Sequence, residues 1–169
     1  MTLTIRDAIE SEYDQMLELT YSAYAEYQPH SKPDFWKQYQ VNIANAVRDG
    51  SDIERICAFS SEGQMVGSVL LCAKSMTSDN PEIRLLAVHP DFRKLGIARH
   101  LMDECERRLT ERGIRKVVLH TTSLMETARQ MYERSGYIRS EENDFYPVPD
   151  FVVMGYEKVL PELPVVACP

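Results

Sequence analysis

Residues 82–98 read EIRLLAVHPDFRKLGIA, and the fold is decided within this run. Its first half is apolar and closed by Pro90, the pattern of a buried strand. Its second half opens a helix, because Ile97, Ala98, Leu101, Met102, Cys105 and Leu109 recur at spacings of three and four. Arg107, Arg108 and Arg112 complement the negative end of that helix, and Gly113 stops it. The element Arg93-x-x-Gly96-x-Ala98 therefore sits where a strand turns into a helix. Such a turn offers unpaired backbone N–H groups and the positive end of a helix dipole, which is the chemistry that holds a diphosphate. Gly96 has no Cβ to obstruct close approach, and Ala98 is nearly as small. Arg93 and Lys94 add positive charge, while Leu95, Gly96, Ile97, Ala98 and Arg99 are the candidate N–H donors. The same six residues also describe an ordinary helix start. They lack both the G-x-G-x-x-G of dinucleotide folds and the G-K-[ST] of a P-loop.

Working outward, residues 3–6 alternate as a first strand, and Ser11 with Asp14 forms a helix-start signal. Tyr13, Met16, Leu17, Thr20, Tyr24 and Tyr27 mark one helix face; the stretch 28–33, with two prolines, breaks it. A second helix runs from Asp34 to a stop at Gly50. Residues 55–60 and 64–73 read as a hairpin around Ser61-Glu62-Gly63, and 81–89 as the next strand. Beyond the central helix come a short strand at 116–119, a helix boxed by Ser123 and Glu126, and a last strand pair at 137–146 and 151–159. The order is mixed α/β, with a sheet partly antiparallel and partly parallel. One domain over 1–159 is expected, with 160–169 as a C-terminal tail.

The chain has 169 residues, 44% apolar and 27% charged, enough for one core. Cys57, Cys72, Cys105 and Cys168 lie far apart with no C-x-x-C pair, which suits free thiols in the cytoplasm better than zinc or disulfides. Absence of a long apolar run or a signal pattern argues against a membrane. A net charge of −7 disfavours nucleic acid and suits a small cationic substrate.

Two signatures carry a resemblance. Leu86-Ala87-Val88-His89-Pro90 leads into Arg93-x-x-Gly96-x-Ala98, and downstream stands Ala128-x-x-Met131-Tyr132-x-x-x-Gly136-Tyr137. In both, and in element order, the chain resembles the GNAT family of N-acetyltransferases. The resemblance implies a mixed sheet with a central, splayed parallel strand pair flanked by helices. It also implies acetyl-CoA as acyl donor, held by Ala87, Val88 and residues Arg93 to Arg99. The acceptor would be a small-molecule or protein amine; a homodimer is compatible with the family. One departure is Met125, seven residues before the tyrosine, where family members often carry Asn. Thr121, Thr122 and Ser123 are the nearby polar substitutes.

Glu82-Ile83-Arg84-Leu85-Leu86-Ala87-Val88 matches the pattern in which the family's histone-acetylating branch places its general base, here Glu82. An alkyl ammonium, with a pKa near 10.4, must lose a proton before it attacks, and a carboxylate within reach can take it. Strand alternation would put Glu82, Arg84, Leu86 and Val88 on one face; a plain pairing of Glu82 with Arg84 is the other reading. By resemblance Tyr132 protonates the departing CoA thiolate, and otherwise it packs the helix face. The N–H of Leu86 is the oxyanion donor that the resemblance implies. His120 ends its strand near this chemistry and reads more simply as a polar strand end than as a second base. His89 and His100 read as structural, and the aromatics around His30 as core packing. An acyl-CoA-binding sensor or interaction module without turnover is the alternative function.

Overall fold

The computed structural model describes residues 2–164. Its strands are β1 (Thr4–Asp7), β2 (Ile53–Phe59), β3 (Met65–Cys72), β4 (Glu82–Val88), β5 (Lys116–Thr121), β6 (Ile138–Arg139), β7 (Phe145–Val148) and β8 (Phe151–Val159). Its helices are α1 (Tyr13–Tyr24), α2 (Pro33–Asp49), α3 (Ile97–Glu111) and α4 (Glu126–Arg134). The fold is mixed α/β with a mostly antiparallel sheet flanked by helices. The chain divides into two compact units: the described residues up to Ala73 with Ile83–Met102, and Lys74–Glu82 with the described residues from Asp103 onward. No helix among the described residues is long and apolar enough to cross a membrane.

In the first unit the strands lie in the order β1-β2-β3-β4, with β1 and β3 both antiparallel to β2. Every residue of β3 is buried, which is why Met65 to Cys72 reads as an apolar run broken only by Ser68 rather than as an alternation. Met16, Leu17, Leu19 and Ala23 of α1 and Ile43 and Val47 of α2 pack into the same core as Cys57, Leu70 and Ala87. At the start of α1 the expected Ser11 cap does not form. The Glu12 carboxylate instead accepts from Ile9 N at 3.0 Å and pairs with Arg6 at 2.7 Å. The Arg6 guanidinium, helped by the Ile9 N–H, holds the Glu12 carboxyl down at about 2.

The end of α2 differs from its sequence reading in an instructive way. Gly50 stops the helix in extended backbone (φ −74°, ψ 119°), not in the left-handed cap that glycine favours. The terminal carbonyls are satisfied by Arg55 of β2. Its guanidinium donates to Val47 O, to Ile53 O at 2.9 Å, to Gly50 O at 3.0 Å and to Ala46 O at 3.4 Å. The cation also lies 4.9 Å from the centre of the Tyr13 ring.

In the second unit β8 is the hub. It pairs antiparallel with β5 from Lys116↔Val159 to Thr121↔Met154, with β6 at Ile138↔Glu157, and with β7 across a turn in which Asp150 takes φ 64°. Val118 N donates to Pro81 O at 2.9 Å, so β4 begins alongside β5 as its parallel neighbour. The strand expected at 137–146 is broken into β6, a 3-10 turn at Glu141–Asn143, and β7. The expected box of Ser123 with Glu126 is absent: Met125 holds the cap position of α4 without a side-chain bond, and Glu126 accepts from Gln130 at 2.8 Å. Glu106 of α3 accepts from Tyr137 Oη at 3.0 Å and Lys158 Nζ at 2.7 Å, and burial beside this carboxylate pushes the Tyr137 hydroxyl far up. Leu160, read from sequence as the start of the tail, is buried and bonded both ways to Arg115, N to O at 2.8 Å and Nε to O at 3.0 Å. Cys57, Cys72 and Cys105 are buried free thiols, and burial raises Cys57 to about 12; Cys168 lies outside the described residues.

Because Arg55 is the partner of several α2 carbonyls, Arg55→Met is expected to lower unfolding stability by about 2–4 kcal/mol, read as a lower urea midpoint at unchanged slope.

Candidate active site

Glu82, the candidate base, lies at the first position of β4 and in the second unit. Its side chain is 3% exposed, and Oε1 lies 2.7 Å from Nδ1 of His120, whose side chain is 6% exposed. Met76 N lies 3.4 Å from the other carboxylate oxygen. On its far side the imidazole Nε2 lies 2.9 Å from the backbone carbonyl of Asn143 and 3.3 Å from Thr77 Oγ1. Thr77 Oγ1 donates to Asn143 Oδ1 at 2.9 Å, and Asn143 Nδ2 to Ser140 Oγ at 2.7 Å. The Phe145 ring meets the imidazole edge-on at 5.2 Å.

A backbone carbonyl can only accept. Nε2 of His120 therefore carries a proton, and one further proton lies between Nδ1 and Glu82 Oε1. The two groups form a single buried acid–base unit. Sequence reading favoured a polar strand end over a second base for His120 and did not find these contacts, because its partners come from residues 77, 82 and 143 and no local pattern joins them. The clue that was present is a histidine at the end of an apolar strand whose parallel neighbour opens on a glutamate.

Tyr132 is buried on α4, its ring edge-on to Tyr137 at 6.0 Å. The hydroxyls of Thr121 and Thr122, the candidate substitutes for the missing Asn, are buried at the end of β5 with no hydrogen-bond partner among the described residues.

The other candidates belong to the first unit. β4 does not alternate cleanly. Leu85 takes φ 50°, a left-handed conformation that costs a leucine about 1–3 kcal/mol, so the expected common face of Glu82 and Leu86 is interrupted between them. Leu86 and Val88 are half-buried and Ala87 is buried. Leu86 O accepts from Tyr24 Oη at 2.9 Å. Tyr24 stacks parallel to Tyr39 with centroids 6.3 Å apart, and burial raises Tyr39 to about 12, so these aromatics pack as expected.

After β4 the chain makes a 3-10 turn at Pro90–Phe92, capped by His89 Nδ1, which accepts from Asp91 N at 3.2 Å. Lys94 (φ 62°) and Gly96 (φ 78°) then bend it into α3. His100 N donates to Gly96 O at 3.1 Å, so the amides ahead of it precede the helical ladder. A Cβ on Gly96 would meet nothing nearer than the His100 ring at 3.7 Å; glycine is required there by backbone handedness. Ile97, buried, seats the first turn, and Leu95 is exposed. Arg93 is engaged within the fold. Its guanidinium donates to Ala23 O at 2.9 Å and pairs with Glu26 at 3.0 Å, tying the loop to the end of α1. Among the described residues no group of three His, Cys, Asp or Glu could hold a metal ion.

Residues 13–137 match the model of the acetyltransferase (GNAT) family. In structure the chain is similar to an acetyltransferase of the GNAT family from Staphylococcus aureus, with a TM-score of 0.75, 19% identity and coverage of 95% of this chain and 100% of that one. It is also similar to the PaiA N-acetyltransferase from Thermoplasma acidophilum in complex with coenzyme A, with a TM-score of 0.74, 16% identity and coverage of 94% and 99%. At these identities the likeness is one of fold.

The carbonyl that faces His120 is held by a tight approach. A Cβ on Gly155 would fall 2.4 Å from Asn143 Cβ and 2.8 Å from its backbone oxygen. Gly155→Ala is expected to displace the Asn143 turn and lower the thermal midpoint by several degrees, with the His120 ring resonances shifting in NMR spectra of the folded variant.

Proposed function

The chain belongs to the acetyltransferase (GNAT) family, and we propose that it moves an acetyl group from acetyl-CoA to a primary amine by direct attack in a ternary complex. The observation that carries this reading is the left-handed turn at Lys94 and Gly96 ahead of α3, which leaves the amides before His100 outside the helical ladder. Those amides, from Leu95 to Arg99, bind the diphosphate of coenzyme A, with Lys94 adding charge. Arg93 contributes by holding the loop to α1. Ala87 and Val88 line the pantetheine arm. Coenzyme A bound in the PaiA structure supports the same ligand here. The buried free thiols suit a reducing compartment and support a cytoplasmic enzyme.

Glu82 takes the proton of the ammonium, directly or through water. The amine then attacks the thioester carbon, and the negative charge on oxygen meets the N–H of Leu86. The C–S bond breaks, CoA leaves as thiolate and takes a proton from Tyr132, and the second proton of the attacking nitrogen is released as the amide forms and restores Tyr132. The proton on Glu82 returns to solvent, so each turnover yields an amide, CoASH and one proton. No covalent enzyme intermediate forms, and the rate comes mainly from positioning and oxyanion stabilisation.

A second reading, an acyl-CoA sensor without turnover, is favoured by Met125 at the position where the family often has Asn. Release of CoA under a panel of polyamines, lysine peptides, peptide N-termini, amino acids and aminoglycosides separates the two, since a sensor binds CoA and releases none. In the enzyme, Glu82→Gln is expected to lower kcat about 10²-fold at neutral pH, with part of the rate recovered as pH rises toward the amine's own pKa. Wild-type kinetics in that variant would remove Glu82 from its role. Gly96→Val is expected to weaken CoA binding at least about tenfold by calorimetry, because valine rarely adopts a positive φ.

A further inference from the structure

We infer that His120 is the positioning residue for Glu82, and that the two act as a locked dyad. The inference rests on the reading of Glu82 as the proton acceptor and extends it to a residue outside both signatures. A glutamate has three side-chain torsions, and a base that swings among rotamers spends little time in reach of a proton. Here Glu82 Oε1 is held at 2.7 Å by the imidazole Nδ1. The ring cannot rotate away, because Nε2–H is committed to Asn143 O at 2.9 Å and the Phe145 edge closes one side. The lock extends one layer further. Asp144, next to Asn143, makes a bidentate pair with Arg139 at 2.6 Å and accepts from Gly155 N at 2.8 Å, which fixes the turn carrying the carbonyl.

The charge balance of the dyad follows from its contacts. Thr77, Asn143 and Phe145 face the imidazole without charge; Glu82 is its ionisable partner, and Asp144 nearby is neutralised by Arg139. With Nε2–H fixed, Glu82 and His120 share one proton, as a carboxylate with an imidazolium or as a carboxylic acid with a neutral ring. In the first form the carboxylate takes the proton of the ammonium while the imidazolium keeps it oriented. After the amide forms that proton passes to solvent, and the dyad returns to its starting charge.

The test uses the full chain. Imidazole nitrogen NMR on the resting protein at neutral pH is expected to show Nε2 of His120 protonated and hydrogen-bonded; an unprotonated Nε2 would overturn the lock whatever the activity. With an amine that supports turnover, His120→Phe fills the space without a donor and is expected to cost about tenfold or more in kcat, with KM for acetyl-CoA within about twofold of wild type. His120→Asn places an amide N–H near the position of Nδ1 and is expected to restore part of kcat. Equal kcat in His120→Phe and wild type, or no difference between the Phe and Asn variants, sinks the inference. Wild-type protein that binds CoA yet releases none with any amine removes the transferase reading and the dyad's part in it, while the NMR result still reports the lock.

Discussion

The handedness of the backbone between β4 and α3 is the constraint on which the proposed coenzyme A site depends. Two residues between the strand and the helix, Lys94 and Gly96, take positive φ, as does Leu85 inside β4. Two of the three carry side chains, so the conformation is stabilised by its surroundings against an intrinsic cost of about 1–3 kcal/mol each. Those surroundings are visible: Ile97 is buried against the core beneath the turn, Ala87 is buried in the strand before it, and Arg93 is bonded to α1. A helix start becomes an anion site only if the chain enters it from a direction that leaves the first amides exposed, and that direction is what the left-handed residues set.

The second unit solves a different problem, that of keeping ionisable groups buried. Glu82 and His120 are nearly inaccessible, and an unpaired charge in such a place is costly. The unit answers with a chain of committed partners running from Glu82 through His120 to Asn143, and from Thr77 to Asn143 and Ser140. Each member has its donor and acceptor roles dictated by its neighbour, so the network specifies one arrangement.

Much of the fold was legible in the sequence. The strand closing at Pro90, the helix paced by Ile97, Leu101, Cys105 and Leu109, and the largely apolar β3 carry clear patterns, and their structures follow. The turn before α3 was legible for the same reason, since Gly96 announces a backbone conformation that few other residues accept. What failed was capping and pairing. Ser11 and Ser123 carry the right chemistry for caps, but Glu12 with Arg6, and a bare Met125, occupy those ends instead. The α2 terminus falls at Gly50 as read, but its carbonyls are met by Arg55 from the next strand rather than by a left-handed cap. The pairing of His120 was not legible, because it depends on Asn143, whose carbonyl bears no trace in the sequence. Left-handed Leu85 was equally silent, and with it the break in alternation after Glu82. Side-chain periodicity reports burial; it does not report which distant backbone oxygen a ring nitrogen will meet.

The last turn of α1 is fastened at two neighbouring residues. Ala23 O receives Arg93 of the loop, and Tyr24 Oη is bonded to Leu86 O in the strand. Mutational drift in that short segment is therefore pleiotropic: a lineage that remodels it disturbs strand and loop in one step. Neutral paths through those positions are narrow, and compensating changes are to be sought as coordinated substitutions at 26 and 93 rather than as isolated replacements.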